Sequence, residues 1–515
     1  MGMSRCSGLV AGFAAVFALT ASACGCRATE NILEQANSPS EAPPSEPEEP
    51  IAAEPPAPAL PPLPAHAVLD DQIRAARDLA QRRLLRAAEP LLPDLPPLPA
   101  GPLPGANQPH PPDGLPGFFV PLLEPQNADP LARFEAALAE LDAGARAGPV
   151  RVAVYGASGV ATDMWTGYLR AYLQIRFGDG GPGIVAAAPP NKWSRHQEIV
   201  FESSKHWTKQ NSFRLGDRAP TDYFGLMGQA MSAESSRAWT QVQPAPGSPS
   251  ATKLAFYELH YLEQPRGGSF TLLLDGKTLD DIHTAAPTVG VGHRRVELEL
   301  GSAHTLRIQL HGDGKVRLLG VVAETETPGV VLDTLGVNGA KSEDQAKWDE
   351  PLWSSHLRER DPVLYVLAYG NNESVDVDVP IAQYEQHYRA SLERFRRALP
   401  DAGCLMIGPG DYPHLVEGEL RPRPRLGKIR EVQQRLAPEY GCAFLDTLAV
   451  FGGKNSKLAW VAAGLGKNDY LHMTRLGYLR FGMAVGDALM QRHDWRALHA
   501  VRTTSSGSAP GRASD

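Results

Sequence analysis

The chain has 515 residues, of which 43% are hydrophobic and 21% charged, a composition typical of a globular protein with more than one domain. The net charge of −8 and the lack of any basic run exclude a protein that binds nucleic acid through a positively charged face. The 46 prolines exceed the average usage of about 5% and are clustered, so one part of the chain is not globular.

The first 23 residues are typical of an export signal. Arg5 precedes the apolar run 9–19, which is too short to span a bilayer, and small residues follow this run. The segment that ends at Cys24 resembles a bacterial lipobox, with Cys26 as the alternative lipid acceptor. We therefore expect a protein of the bacterial cell envelope, anchored through lipid on Cys24 to the outer membrane or in the periplasm. Soluble secretion after cleavage at Ala23 is the alternative.

Residues 24–128 predict a low-complexity tether. The segment is rich in proline and partly acidic, so it has too few apolar side chains to form a core, and polyproline stiffness favours an extended spacer. A helical pattern at 70–88 interrupts it. Such a tether would hold a folded domain away from a membrane.

The first part of an α/β domain is predicted at 129–199. It contains a helix at 129–144, a buried strand at 150–154 and a helix at 165–177. Ser158 lies on the turn between the last two elements. A serine in this position presents a nucleophile or caps a helix, and the turn alone favours the cap.

Residues 200–325 predict an inserted antiparallel β-sandwich. Helical patterns are few, and alternating apolar residues are separated by Gly, Asp and Pro. The strand-like runs are 254–262, 269–276, 294–301, 304–312 and 315–323.

The α/β pattern resumes at 326–495, and the tail 496–515 has the composition of a disordered segment. Short apolar strands alternate with helices, which predicts an α/β fold with a doubly wound parallel sheet between two layers of helices. The predicted strands are 329–336, 362–370, 404–407 and 442–445, and the predicted helices are 381–399, 426–436 and 474–490.

Three polar or small residues follow strands of this sheet, at the edge where open parallel sheets bind ligands. They are Ser158, Gly339 and Asn372, and Asp469 and His472 lie just before the last helix. His472 has the chemistry to take a proton from Ser158, and Asp469 to orient the imidazole. The backbone N–H groups of Ser158 and Gly339 and the Asn372 amide have the chemistry to stabilise an oxyanion.

These residues resemble the motifs of the SGNH (GDSL-type) hydrolase family: GAS at 156–158, Gly339, GNNE at 370–373 and DYLH at 469–472. The glycine-rich segment 176–185 resembles that of peptidoglycan O-acetylesterases, some of which carry an inserted β domain similar to carbohydrate-binding modules. The resemblance implies a flavodoxin-like fold and a serine esterase without cofactor. It also implies the catalytic residues Ser158, His472 and Asp469, and an O-acylated glycan, peptidoglycan first, as substrate.

One position departs from the family pattern. Ala157 stands where the family has an aspartate that supports the serine loop. The departure leaves the nucleophile, the base and the oxyanion donors in place. It also keeps open a second interpretation, a non-catalytic glycan-binding surface protein with a degenerate site. Glu373 is expected to hold its loop rather than to act in the reaction.

Two further expectations concern cysteine and metal. Cys404 and Cys442 each open an apolar stretch, and two buried free thiols are favoured over a disulfide because neighbouring parallel strands rarely provide disulfide geometry. No paired His/Cys spacing recurs along the chain, so the sequence predicts no metal site.

Overall fold

The fold is taken from a computed structural model, which describes residues 71–103, 113–188, 191, 193–211 and 222–506, with side chains as far as 496. The predicted export signal and the predicted lipidation site at Cys24 lie outside the described residues. The helices are α1 (Asp71–Leu84), α2 (Ala132–Asp142), α3 (Ser158–Ala161), α4 (Trp165–Phe177), α5 (Glu350–Arg360), α6 (Ile381–Ala398), α7 (Pro424–Glu439), α8 (Thr447–Phe451), α9 (Ser456–Ala462) and α10 (Arg475–Ser506), with 3₁₀ turns at Ser342–Lys347 and Glu373–Val375.

The strands form one parallel sheet, two antiparallel sheets and a hairpin. They are β1 (Val150–Gly156), β2 (Gly183–Val185), β3 (Ile199–Ser203), β4 (Thr208–Asn211), β5 (Gln229–Ala233), β6 (Trp239–Pro244), β7 (Phe256–Glu263), β8 (Ser269–Leu274), β9 (Lys277–His283), β10 (Gly290–Glu297), β11 (Leu306–Leu310), β12 (Val316–Glu324), β13 (Val330–Gly336), β14 (Leu364–Ala368), β15 (Gly403–Ile407), β16 (His414–Val416), β17 (Glu419–Arg421) and β18 (Ala443–Leu445).

The central sheet has five parallel strands in the order β13-β1-β14-β15-β18. Strand β1 lies inside it, and Val152 pairs with Leu332 on one side and Leu364 on the other. Alternate β1 residues enter different cores, because successive side chains of a strand point to opposite faces. Val152 joins the core with α1, α2, α4 and α10, whereas Tyr155 joins the core with α5, α6 and α7. Helices therefore cover both faces, and the predicted doubly wound fold is confirmed.

The inserted β domain consists of two antiparallel sheets. One has the order β10-β7-β12-β5-β4, with β2 paired to β12, and the other has the order β3-β6-β11-β8-β9. A third core fills the domain and includes Leu259 of β7, Leu272 of β8 and Ile308 of β11. The predicted antiparallel insert is confirmed. Prediction from sequence missed several strands, such as β4, whose sequence TKQN lacks an apolar face.

The segment before the α/β domain differs from the predicted extended spacer where the structure describes it. Helix α1 buries Ala76 and Ala80 in the core that also contains α4, and Leu95 and Phe118 are buried in the same core. Buried Arg77 forms ion pairs with Asp94 and with Asp487 of α10. Proline-rich chain can thus pack when apolar residues are interspersed, and the segments 71–103 and 113–128 contribute residues to the core of the α/β domain.

Two further segments differ from expectation. Cys404 and Cys442 form a disulfide, with a Cα–Cα distance of 4.6 Å, so the prediction of free thiols was wrong. The register places the two residues side by side, since Leu405 pairs with Ala443. Cys442 lies just before β18, where the ladder does not fix the direction of its side chain. Helix α10 continues to Ser506, through part of the tail expected to be disordered.

Among the described residues, none of the helices combines the length and the apolar character needed to cross a bilayer. Strands β16 and β17 form a separate two-stranded sheet.

Candidate active site

Ser158 is the first residue of α3, directly beyond the carboxyl end of β1. The sharp connection depends on Gly156, where a Cβ would lie 2.5 Å from Val160 Cγ2 and 2.9 Å from the carbonyl oxygen of Ala368. The N-cap of α3 is Ala157, which makes no side-chain cap bond. The Ser158 hydroxyl instead lies 2.9 Å from Nε2 of His472. The structure therefore gives this serine a side-chain partner and no capping role.

Asp469 holds the other side of the imidazole. Its Oδ2 lies 2.8 Å from His472 Nδ1, and its Oδ1 accepts the backbone N–H groups of Leu471 at 3.0 Å and His472 at 2.8 Å. Burial raises the pKa of this carboxyl, but the hydrogen bonds from the His472 ring and from the backbone N–H groups of His472 and Leu471 outweigh burial and hold the pKa well below its ordinary value. Asp469 is therefore ionised at neutral pH and favours the His472 tautomer that leaves Nε2 free to accept a proton.

Asn372 follows β14 and lines the same cleft as Ser158 and His472. Its Nδ2 donates a hydrogen bond of 2.8 Å to the carbonyl oxygen of Ala340, in the loop after β13. Gly339, the preceding residue, has φ +82°, a conformation that favours glycine. Gly339 is not among the described residues that line the cleft, so the structure joins it to the site through the link between Asn372 and Ala340.

Glu373 forms hydrogen bonds with the loop after β13 and with the loop after β14. Its Oε1 accepts hydrogen bonds from the backbone N–H and the hydroxyl of Ser342, and its Oε2 accepts the N–H of Gly370. Complete burial raises its pKa to about 7, against these hydrogen bonds. Glu373 thus connects the loop after β13 to the loop after β14, the structural role expected from the sequence.

The cleft over the carboxyl edge of the sheet has a cavity volume of about 110 Å³. Its wall contains apolar side chains, among them Trp165 and Phe451, and one carboxyl group that the sequence did not single out, Asp411. Burial raises the pKa of Asp411 to about 6, and its Oδ2 accepts the backbone N–H of Lys457 at 2.9 Å. A lone aspartate after a strand carries no signal that would have identified it.

Asp163 is a second residue that the sequence did not identify. It is fully buried between α3 and α4 with φ +49°, and it accepts hydrogen bonds from Arg170, Thr334 and the backbone N–H of Gln197. Burial raises the pKa of Asp163, but Arg170 outweighs burial and holds the pKa far below its ordinary value. This network connects the segment after Ser158 to β13 and to the start of the insert.

Residues 304–480 match the family model described as the GDSL-like lipase/acylhydrolase family. The matched segment contains Gly339, Asn372, Asp469 and His472 and begins far beyond Ser158, since the inserted β domain separates the serine from the other site residues. The predicted resemblance to GDSL-type hydrolases is thereby confirmed. No curated protein sequence matches the chain.

Solved structures with a similar fold include one described as a peptidoglycan O-acetylesterase. It is 23% identical, has a TM-score of 0.61, and the likeness covers 72% of this chain and 99% of that chain. A family two carbohydrate esterase from Clostridium thermocellum, in complex with cellohexaose, is 13% identical over 56% of this chain and 99% of that chain; its TM-score of 0.22 is too low to carry an argument. The first likeness shows that the two chains share a fold.

Proposed function

We propose that the chain is a serine esterase that removes acetyl groups from carbohydrate hydroxyls, and the match of residues 304–480 to the model of the GDSL-like lipase/acylhydrolase family supports this. The observation that carries the proposal is the hydrogen-bonded series Ser158, His472 and Asp469 at the carboxyl edge of the sheet. A serine, a histidine and a carboxylate in this order form the arrangement that activates a hydroxyl for acyl transfer.

The proposed reaction has two steps. Ser158 Oγ attacks the ester carbonyl while His472 Nε2 takes its proton, and the proton then passes to the departing sugar oxygen, which leaves an acetylated serine. Water, deprotonated by His472, next attacks this acyl group, and acetate and the free serine result. The backbone N–H of Ser158, with the Asn372 amide and the Gly339 N–H, is proposed to donate to the oxyanion in both steps.

Peptidoglycan is the proposed substrate. The support is the shared fold with a structure described as a peptidoglycan O-acetylesterase, together with the sequence features that predict export and lipid attachment at Cys24. An enzyme anchored in the envelope would act where peptidoglycan lies. Other O-acetylated glycans, such as acetylated xylan, are the comparison substrates.

The test is hydrolysis by the full chain, purified in detergent, of an aryl acetate and of O-acetylated peptidoglycan. Residues 71–128 need to be retained, because their removal would expose the core packed by α1, Leu95 and Phe118. We expect Ser158→Ala to lower the rate about 10⁴-fold or more. Ser236→Ala, at an exposed serine of the insert, is the matched control and should retain wild-type turnover.

Two results separate the parts of the proposal. Equal turnover by Ser158→Ala and wild type would contradict the assignment of the nucleophile. A second result is that Ser158→Ala loses aryl acetate hydrolysis while wild type releases no acetate from peptidoglycan. This result would support the assignment as a serine esterase and contradict peptidoglycan as its substrate. A parallel series of aryl acetate, butyrate and octanoate tests whether the acyl group is short.

A further inference from the structure

A cluster of three histidines and two glutamates lies away from the active-site cleft, where the six-stranded sheet of the insert meets helix α5. Glu258 Oε1 is 2.8 Å from Nε2 of His260, and Nδ1 of His293 is 3.8 Å from the same carboxylate oxygen. One ligand atom from each of these residues lies within 4.8 Å of the others. The group therefore presents two imidazole nitrogens and one carboxylate oxygen to a single point.

The sequence places these side chains together through strand geometry. Glu258 and His260 are two residues apart on β7, so they point to the same face. His293 on β10 pairs directly with His260 in the antiparallel register. The three residues do not form a short sequence motif of the kind that marks a metal site, because the third residue comes from a neighbouring strand. This explains why the sequence predicted no metal site.

His356, Tyr223 and Glu359 hold the imidazole rings of His260 and His293 in their orientation. Nδ1 of His260 is hydrogen-bonded to Nε2 of His356 at 2.7 Å, and Nδ1 of His356 is 2.5 Å from the hydroxyl of Tyr223. Nε2 of His293 lies 3.3 Å from Glu359. Each of the two imidazoles thus has one nitrogen held by an outer partner and the other directed at Glu258, as in metal sites whose histidines donate their second N–H outward.

The distances and charges suit a divalent ion. Metal–nitrogen and metal–oxygen bonds of about 2.0–2.2 Å put tetrahedral ligand atoms about 3.4 Å apart, between the two separations observed around Glu258. The group borders a cavity of about 300 Å³, which leaves space for a further ligand. The cavity also contains Arg151, Arg295 and Arg360. Each of them is paired with a carboxylate, since Arg151 and Arg360 contact Glu324, Arg360 also contacts Asp333, and Arg295 contacts Glu297 and Glu326.

We propose that Glu258, His260 and His293 bind one divalent transition-metal ion of the zinc type, with a coordination position open to the cavity. Two imidazoles and a carboxylate are the ligand set of zinc sites that keep one position for water. The outer partners His356 and Glu359 belong to α5 of the hydrolase domain, whereas the three ligands belong to the insert. Metal binding therefore fastens the insert to the hydrolase domain.

The alternative is a hydrogen-bonded cluster that needs no metal. The metal site and the hydrogen-bonded cluster differ in a measurable way, because a cluster that needs no metal neither binds added zinc nor is stabilised by it. The full chain, without an affinity tag, is treated with a chelator and titrated with ZnCl₂ by calorimetry, and CoCl₂ is added separately to record the visible spectrum. Thermal unfolding with and without ZnCl₂ gives a third readout, since a ligand that binds only the folded state raises Tm.

The variants are Glu258→Gln and His293→Gln, at side chains that are 28% and 30% exposed and so tolerate substitution better than buried His260. His283→Gln, at an exposed histidine of β9, is the matched control. We expect wild type and control to bind one more zinc ion than either variant, or the same ion at least about 100-fold more tightly. Only wild type and control should show the Co²⁺ spectrum of a low-coordinate site and a zinc-dependent rise in Tm.

Two results would overturn the proposal. One is zinc binding of equal affinity and stoichiometry in wild type and His293→Gln, which would place the ion elsewhere. The other is no zinc binding by the wild type and no change in its Tm. Because none of these measurements uses ester hydrolysis, the proposal stands or falls independently of the proposed function.

Discussion

The side-chain amide of Asn372 donates one of its two Nδ2 hydrogens to the carbonyl oxygen of Ala340, at 2.8 Å. This bond fixes the orientation of the amide, so its second hydrogen is available to a ligand in the cleft that Asn372 lines. It also joins the loop after β13 to the loop after β14. Two of the three expected oxyanion donors are therefore linked through this hydrogen bond, in addition to the connection that Glu373 makes between the same two loops.

Asn372→Ala should lower kcat by about 100-fold or more, as the loss of one oxyanion donor does in other hydrolases. KM should change little, because the oxyanion forms only after substrate has bound. Steady-state kinetics on an aryl acetate measures both constants. A matched thermal unfolding curve shows whether the loss of the Ala340 link has disturbed the fold, and unchanged kcat in a folded variant would contradict the role.

Asp469→Asn should lower kcat by about 10⁴-fold, the cost of the same change in serine proteases. The asparagine Oδ1 can still accept the N–H groups of Leu471 and His472, but its Nδ2 would face Nδ1 of the imidazole. His472 would then carry its proton on Nε2 and be unable to take one from Ser158. Kinetics across a pH series tests this, and activity within tenfold of wild type would show that Asp469 does not set the tautomer.

Asp163→Asn should destabilise the protein by about 3–5 kcal/mol at pH 7, because it leaves Arg170 in a fully buried position with one partner fewer. Asparagine tolerates the positive φ, so the effect is that of the charge. The folded-state pKa of Asp163 is depressed, so its contribution is complete above the unfolded value of about 3.9 and decreases as the pH falls below it. Urea unfolding at pH 7 and pH 3.5 should show a smaller difference between the two proteins at pH 3.5, and an equal difference would contradict the assignment.

Replacing Cys404 and Cys442 together by alanine should lower the free energy of unfolding by about 4 kcal/mol. The disulfide closes a loop with a sequence separation of 38, and in the chain-entropy account this restricts the unfolded state. Denaturant unfolding of the double variant beside oxidised wild type measures the difference. Wild type unfolded in the presence of a reductant is the control and should match the variant, whereas equal stability of all three would show that the bond contributes nothing.

Ala157→Asp tests the departure from the family pattern. Ala157 is the N-cap of α3 and makes no side-chain cap bond, so an aspartate there adds an acceptor for the first turn and leaves Ser158 in place. If the missing carboxylate only supports the loop, the variant should hydrolyse an aryl acetate as fast as wild type or faster. Activity in the variant together with none in wild type would favour the glycan-binding interpretation, in which Ser158 is a relic of a nucleophile.

The sequence predicted the parts of the fold that depend on local patterns. Apolar runs identified β1 and the other central strands, and glycine and proline placed the turns. Three of the four motifs follow from the same reasoning, because strand ends of a parallel sheet converge at one edge. The fourth, with Asp469 and His472, precedes the last helix, and the structure brings both residues together with Ser158. Their catalytic roles stay predictions.

What the sequence could not predict depends on contacts between distant residues. Asp163 gains its importance from Arg170 and Thr334, and nothing in its own neighbourhood marks it as buried. The β strands with polar sequences form because their neighbours supply backbone partners, as β5 does for β4. The disulfide likewise depends on a register that becomes visible only when β15 and β18 are paired.

The position of β1 has a consequence for how the chain acquires its structure. This strand comes before the insert, yet both of its neighbours in the sheet, β13 and β14, come after it. The parallel sheet therefore cannot close around β1 until the whole insert has emerged, and such long-range pairing slows folding. During this interval an apolar strand lacks its partners and is exposed to aggregation. An early-folding insert would shorten the effective distance between the two halves and hasten the pairing that places Ser158 beside His472.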